Sequence, residues 1–221
     1  MTLQRYETDF ETLPPETLDA WRDIPPAIVS DCMNRTHFMA AAIKPVKPGI
    51  PLVGQARTVT AMVGDNGISH AAIPLVEKGQ VLVIDAGGYD DVAVWGGIMT
   101  RAAMARGVAG VVIDGGIRDV AEIRELGFPV YARAHVPAGP HKGFGGIIDG
   151  PISCAGCPVK PGDIVIGDDD GVAVVPLEWA DDMLAASREK LRQEEETIKA
   201  IAEGKTTVEL LGVGEVEIIG G

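Results

Sequence analysis

Apolar and polar positions along the chain fall into two periods, and their alternation lays out an α/β protein. Gly54–Met62 alternates and reads as a strand. Ile68–Lys78 carries Ile68, Ala71, Ala72, Leu75 and Val76 at helical spacing. Val81–Asp85 is an unbroken apolar run ending in a carboxylate, the pattern of a strand buried on both faces. Ala86–Asp91 reads as a loop, and Val92–Arg106 as an Ala- and Met-rich helix interrupted near its start by Gly96-Gly97. Gly110–Ile113 lies in the next buried run, which starts at Val108. Strand, helix and strand at this spacing make a βαβ unit with parallel strands. Their C-terminal loops lie side by side, so Asp85, Gly87 and Gly88 are expected to face Asp114, Arg118 and Asp119 across one crevice.

The flanks add further elements. Ile24–Met33, with prolines at its start, reads as a helix. Val120–Gly127 reads as a short helix and Phe128–Ala132 as a strand, while Gly139–Gly150 is Gly-rich and loop-like. Asp163–Gly167 and Val172–Pro176 form a hairpin through Asp168-Asp169-Asp170-Gly171. Those aspartates could bind a cation, but a Gly-closed turn is favoured because the ligand spacing of a calcium loop is absent. Leu177–Glu203 reads as a long, charged helix with a solvated face. Without repeats or a linker-like stretch, residues 1–221 are expected to form one domain.

Composition narrows the picture. With 46% hydrophobic but only 5% aromatic residues, and 28 glycines, the core must be built from Val, Ile, Leu and Ala. The net charge of −13 opposes nucleic-acid binding, which needs a basic face. No basic-plus-apolar leader and no membrane-length apolar run is present, so a cytoplasmic location away from membranes is expected. Three cysteines, Cys32, Cys154 and Cys157, are too few for a disulfide framework or a four-ligand zinc site, and the Cys154-x-x-Cys157 pair reads as a loop. His37, His70, His135 and His141 show no ligand spacing. His70 reads as a packing or surface residue, and His141 with Lys142 as a solvated loop that could meet an anionic substrate.

The candidate chemistry sits in Asp114-Gly115-Gly116-Ile117-Arg118-Asp119-Val120-Ala121-Glu122. It places an arginine and an aspartate where a strand hands over to a helix, the end of an α/β sheet at which ligands bind. Arg118 offers a fork for a carboxylate or enolate oxygen. Asp119 offers a hard oxygen for Mg²⁺ or Mn²⁺. Asp119-x-x-Glu122 also reads as a capping box, and Gly115-Gly116 permits close backbone approach by a ligand.

Gly97 followed by Arg118-Asp119-x-x-Glu122 resembles the signature of the RraA-like family, which includes class II 4-hydroxy-4-methyl-2-oxoglutarate/4-carboxy-4-hydroxy-2-oxoadipate aldolases. Gly64-Asp65-Asn66, Val83–Gly88, Phe128-Pro129-Val130, Pro161-Gly162-Asp163 and Asp169–Val172 follow in the family's order, so the resemblance spans roughly residues 25–205. It implies a swivelling β/β/α fold, trimers or hexamers with sites between subunits, and Mg²⁺- or Mn²⁺-dependent cleavage of 2-oxo acids to pyruvate. By the same resemblance, Asp119 binds the metal and Arg118 the substrate, Gly96, Gly97, Ile98 and Met99 hold the pyruvyl carboxylate through backbone N–H groups, and Glu122 belongs to the catalytic set. A neighbouring subunit's Glu195, or Glu194, would complete it.

The expected function is a metal-dependent carbon–carbon lyase acting on a short 2-oxo dicarboxylic acid through an enolate. Aldolase members carry an acidic residue where this chain has Gly97, and Gly97 with Glu122 resembles members linked to oxaloacetate decarboxylation. A Schiff-base route is disfavoured because no lysine falls in the Arg-Asp motif or its Gly-rich turns. Asp85 stands open as either an acid–base group or a structural carboxylate. The alternative is a non-catalytic regulator of an RNA-degrading endonuclease. A methyltransferase role is discounted for want of a Rossmann fingerprint.

Overall fold

A computed structural model describes residues 2–214 together with 216, 217 and 219. In chain order its first half comprises β1 (Leu3–Arg5), α1 (Pro15–Asp19), α2 (Pro26–Cys32), β2 (Lys44–Pro45), β3 (Leu52–Ala61), α3 (Gly67–Ala72), β4 (Val81–Trp95) and α4 (Gly97–Ala105). Then follow β5 (Gly110–Ile117), α5 (Val120–Leu126), β6 (Val130–His135), β7 (Gly146–Ile148), β8 (Ile152–Cys154), β9 (Cys157–Val159), β10 (Ile164–Gly167), β11 (Val172–Val175), α6 (Ala180–Ala202) and α7 (Thr207–Leu211).

The main sheet runs β1-β7-β3-β4-β5-β6-β2, with the β10–β11 hairpin attached to β3. Strands β3 to β6 are mutually parallel. The βαβ unit is therefore present as β4–α4–β5. Alternate residues of its strands feed opposite cores: Leu82, Ile84, Val111 and Ile113 pack under α3, α4 and α5, whereas Val81, Val83 and Val112 pack against Leu52, Val165 and Val174. Burial on both faces explains the unbroken apolar runs. A third core joins α2 and α6 to the β10–β11 hairpin through Trp21, Val29, Ile164, Val175 and Leu184. The result is the expected mixed α/β architecture with a long C-terminal helix.

Several local expectations are corrected. Val92–Trp95 continues β4, because Ala93 pairs with Gly116 and Trp95 with Ile117, and the helix starts only at Gly97. Between those pairs and the Asp85–Asp114 pair, β4 makes an excursion that β5 does not match. That excursion explains Gly115-Gly116: a Cβ on Gly116 would lie 2.8 Å from the Asp90 carbonyl and 2.9 Å from that of Val92. The close approach is by the chain's own backbone, not by a ligand. The predicted helix over Ile68–Lys78 ends at Ala72 and passes into a 3₁₀ turn at Ile73–Leu75, which contains Pro74. The Gly-rich segment holds a strand, β7, antiparallel to β3. The Cys154-x-x-Cys157 pair forms the tip of the β8–β9 hairpin, with both thiols buried and free. Burial drives both thiols up, Cys157 to about 12, so they stay protonated. Asp168 accepts the Asp170 N–H, as expected of a turn, while Asp169 accepts the N–H of the distant Gly49.

An internal charge cluster ties the N-terminal strand to the sheet. Asp149 is buried and accepts from Arg57 Nε at 2.8 Å and from Arg5 Nε at 2.7 Å, while Arg57 is itself buried. Removing one partner leaves a desolvated charge uncompensated. Asp149→Ala should therefore cost about 3–5 kcal/mol. Urea unfolding of the variant against wild type measures it, and a loss below about 1 kcal/mol would show that Arg57 finds water.

Candidate active site

The end of the β4–β5 ladder builds the site. Trp95 pairs with Ile117, and the Arg118 N–H donates to the Trp95 carbonyl at 3.0 Å. The next residue, Asp119, adopts φ 60 and ψ 34, a left-handed conformation that aspartate tolerates better than most residues. It occupies the cap position of α5 but makes no side-chain cap there. The predicted capping box is absent. Instead, Asp119 Oδ2 accepts the Gly97 N–H at 2.9 Å, across to the N-terminus of α4. Glu122 pairs with Arg101 Nε at 2.7 Å, linking α5 to α4.

Both glycines of the α4 start are required by these carboxylates. A Cβ on Gly96 would lie 2.6 Å from Asp119 Oδ2, and one on Gly97 would overlap the Glu122 carboxylate. Thr100 fixes the same turn: its hydroxyl accepts from Trp95 Nε1 at 2.9 Å and donates to the Gly96 carbonyl at 3.0 Å. The first turn of α4 presents its N–H groups beside Arg118, a combination that attracts anions, while Asp119 takes the Gly97 N–H. Arg118 and Asp119 lie 3.7 Å apart with side chains 45% and 41% exposed. Such a pair is worth only about 0–1 kcal/mol, leaving both groups available to a ligand.

These residues form one wall of a cleft of about 120 Å³, which Trp95, Gly96, Ile98, Met99, Arg118 and Asp119 share with Asn66, His70, Pro140 and Lys142. The second wall was not legible as such in the sequence. It is held by Asp65, which is fully buried and accepts N–H groups from Gly67, Gly143 and Phe144 at 2.8, 2.6 and 3.1 Å. Burial alone would push its carboxyl up, but the three N–H donors and the nearby His141 outweigh it, so its pKa is lowered. The only local sign was an aspartate in an Asp-Asn-Gly turn; its partners lie 78 and 79 residues away. His70, expected to be a packing or surface residue, lies at the cleft, where burial and the charge of Lys142 depress its pKa. Asn66 is buried there with Oδ1 unpartnered, and its amide N–H meets the Met99 sulfur at 3.3 Å.

Asp85 and Asp114 do not line this cleft. The expected single crevice is split, because the β4 excursion separates the Asp85–Asp114 pair from the Trp95–Ile117 pair. Asp114 accepts from Arg133 Nε at 2.6 Å and from the Ala155 N–H at 2.8 Å. Asp85 accepts the Gly87 N–H, and burial followed by the charge of Asp114 raises its pKa. Glu122 packs behind Gly97 and does not line the cleft; Glu194 and Glu195 are exposed on the outer part of α6 and do not line it either.

Among the described residues no cluster of three or more His, Cys, Asp or Glu side chains could enclose a metal ion. One half-exposed carboxylate, Asp119, suits a hard cation that keeps most of its water, as Mg²⁺ does.

Arg118, Asp119 and the start of α4 thus meet in one cleft at the end of the parallel β4–β5 pair. The chain belongs to the RraA-like family, whose profile, Aldolase/RraA, matches residues 26–174. A Halalkalibacterium halodurans protein provisionally named 4-hydroxy-4-methyl-2-oxoglutarate aldolase is 36% identical over 83% of this chain and 87% of its own length. The 4-hydroxy-4-methyl-2-oxoglutarate aldolase of Thermus thermophilus is 35% identical over 56% of this chain and 74% of its own. The structure of Streptomyces coelicolor RraAS2, described as an unusual member of the RNase ES inhibitor RraA family, superposes with a TM-score of 0.77 at 27% identity, over 86% of this chain and 98% of that one.

The folded-state pKa of Asp65 lies below its unfolded value, so its contribution to stability is present at neutral pH and fades as pH falls through the carboxylate range near 4. Asp65→Asn should therefore be less stable than wild type at pH 7, with the gap narrowing below about pH 4. Urea midpoints across pH measure this; a pH-independent gap would refute the assignment.

Proposed function

We propose that the protein is a divalent-metal-dependent lyase that cleaves a short 2-oxo dicarboxylic acid to pyruvate through an enolate. The observation that carries this reading is the Asp119–Gly97 bond, which sets a carboxylate and the Arg118 guanidinium at the first turn of α4 in one cleft. The aldolase names of the two relatives support the reaction class.

In this reading the free N–H groups of Ile98 and Met99 receive the substrate's 1-carboxylate, with Gly96 and Gly97 leaving room for the Asp119 and Glu122 carboxylates beside it. Arg118 faces the 2-oxo oxygen. Breaking the C3–C4 bond sends its electron pair into the enolate, and the charge that develops on that oxygen is met by the guanidinium, a group already oriented before reaction. In aldol cleavage the C4 hydroxyl gives its proton to water and the C4 fragment leaves as a carbonyl compound; in decarboxylation C4 leaves as carbon dioxide. In either case C3 is protonated to give pyruvate. Asp119 is the residue that would hold Mg²⁺ or Mn²⁺, and the bound cation would supply Lewis-acid stabilisation of the same oxygen. Glu122 acts from behind, as a support for Arg101 and the α4 start. A Glu195 or Glu194 from a second copy, in a trimer or hexamer, completes the site in this reading.

Pyruvate release coupled to lactate dehydrogenase tests it, with oxaloacetate and 4-hydroxy-4-methyl-2-oxoglutarate, each with Mg²⁺, Mn²⁺ or chelator. Asp119→Asn keeps an acceptor for the Gly97 N–H, yet should lower kcat by roughly 10²–10³-fold, and Arg118→Lys by roughly 10²-fold. Chelator should abolish turnover. Absence of release from both acids with either metal would sink the lyase.

A second reading, a protein regulator of an RNA-degrading endonuclease, is supported by the likeness to RraAS2. Inhibition of such a nuclease that survives Asp119→Ala, without turnover of either acid, would favour it.

A further inference from the structure

The proposed reaction ends with a proton arriving at C3, and the cleft holds few groups that could deliver it. Among the described residues that line it, only His70, Arg118, Asp119 and Lys142 ionise. The guanidinium of Arg118 does not release its protons in a protein. Asp119 accepts the Gly97 N–H and is the carboxylate that suits a cation. That leaves the imidazole of His70 and the ammonium of Lys142, and imidazole is the group whose ordinary pKa lies near neutrality.

His70 stands on a fixed base. Its backbone N–H donates to the Asn66 carbonyl at 3.1 Å, and Ile68, Ser69 and Ala72 of the same helix, α3, are buried. Asp65 clamps the start of α3 through Gly67 and the loop that carries Lys142 through Gly143 and Phe144. The charged groups that share its surroundings are Lys142, Arg118, Asp119 and Asp65, with His141 near Asp65. Burial, and then the charge of Lys142, hold the imidazole below its ordinary 6.5. At pH 7 it therefore rests neutral and, once protonated, gives the proton up readily. The residue is also exposed at the rim, so its proton exchanges with water.

We infer that His70 is the catalytic acid–base group of this site, the one that hands a proton to C3 of the enolate. This rests on the lyase reading and deepens it. The π pair of the enolate forms the C3–H bond with a proton from the imidazolium. The C2–O bond becomes a carbonyl again, and His70 is left neutral. In aldol cleavage the water that takes the C4 hydroxyl's proton passes it to His70, so the cycle consumes none. In decarboxylation His70 draws one proton from solvent in each turnover.

Run backwards, the same step removes a C3 proton from pyruvate. The full chain with Mg²⁺ in D₂O should therefore exchange the methyl protons of pyruvate, which NMR follows directly. Neutral His70 is the base in that direction, so the exchange rate should rise with pH through a midpoint below 6.5 and then level off. His70→Gln should slow exchange by roughly 10²–10⁴-fold. The rise with pH should be absent from the residual rate, with the half-saturating pyruvate concentration and the thermal melt unchanged. Lys142→Met should move the midpoint of wild-type behaviour up in pH, because one of the two causes that depress it is gone. If wild type releases pyruvate from a 2-oxo diacid but shows no exchange, or if His70→Gln exchanges as fast as wild type, His70 is overturned and the lyase stands. Absence of both release and exchange in wild type would overturn both.

Discussion

The bond from the Gly97 N–H to Asp119 is the constraint on which the site depends, because it joins two helix starts that are adjacent in space but 22 residues apart in sequence. Its geometry needs three things at once. β4 must run on to Trp95 so that α4 begins beside β5, Asp119 must adopt a left-handed backbone, and Gly96 and Gly97 must carry no side chain. Left-handed backbone at a non-glycine residue costs of order 1 kcal/mol or more and persists where its surroundings hold it. Here the α5 helix that follows and the Arg118 N–H bond to Trp95 hold both sides. The return is a carboxylate turned away from its own helix and toward the site.

The opposite wall follows the same logic with different chemistry. Asp65 is fully buried, and three N–H groups replace the water it has lost. Two of them come from the loop that carries Lys142. A solvated Gly-rich segment thereby becomes a fixed wall, and the cation reaches the cleft without being in a helix or strand. Asp149 does for the N-terminal strand what Asp65 does for the loop, through Arg57 and Arg5. In both cases a buried carboxylate, not apolar packing, places a segment that local propensity leaves undetermined.

Much of the frame was legible because it is written in short-range patterns. Val81–Ile84 and Val111–Ile113 are apolar at every position since both faces of the sheet are covered, and the β10–β11 hairpin is announced by its Asp-Asp-Gly turn. The errors lie where a segment reads with its neighbour or where long-range pairing decides. Val92–Trp95 reads with the Ala- and Met-rich helix that follows, yet Val92, Val94 and Trp95 suit a strand and the segment pairs with β5. Asp119 and Glu122 have capping-box spacing, yet each carboxylate finds a partner on α4 that sequence distance hides.

By itself, the sequence determined that a parallel βαβ unit would present Arg118 and Asp119 at the end of a buried strand, since apolar period and turn residues act over a few positions. Only the tertiary structure decided which groups face them. The β4 excursion moved Asp85 and Asp114 out, and Asp65 brought His70 and Lys142 in. Those contacts depend on buried charges satisfied by partners tens of residues away, and no local pattern records which partner each carboxylate will find.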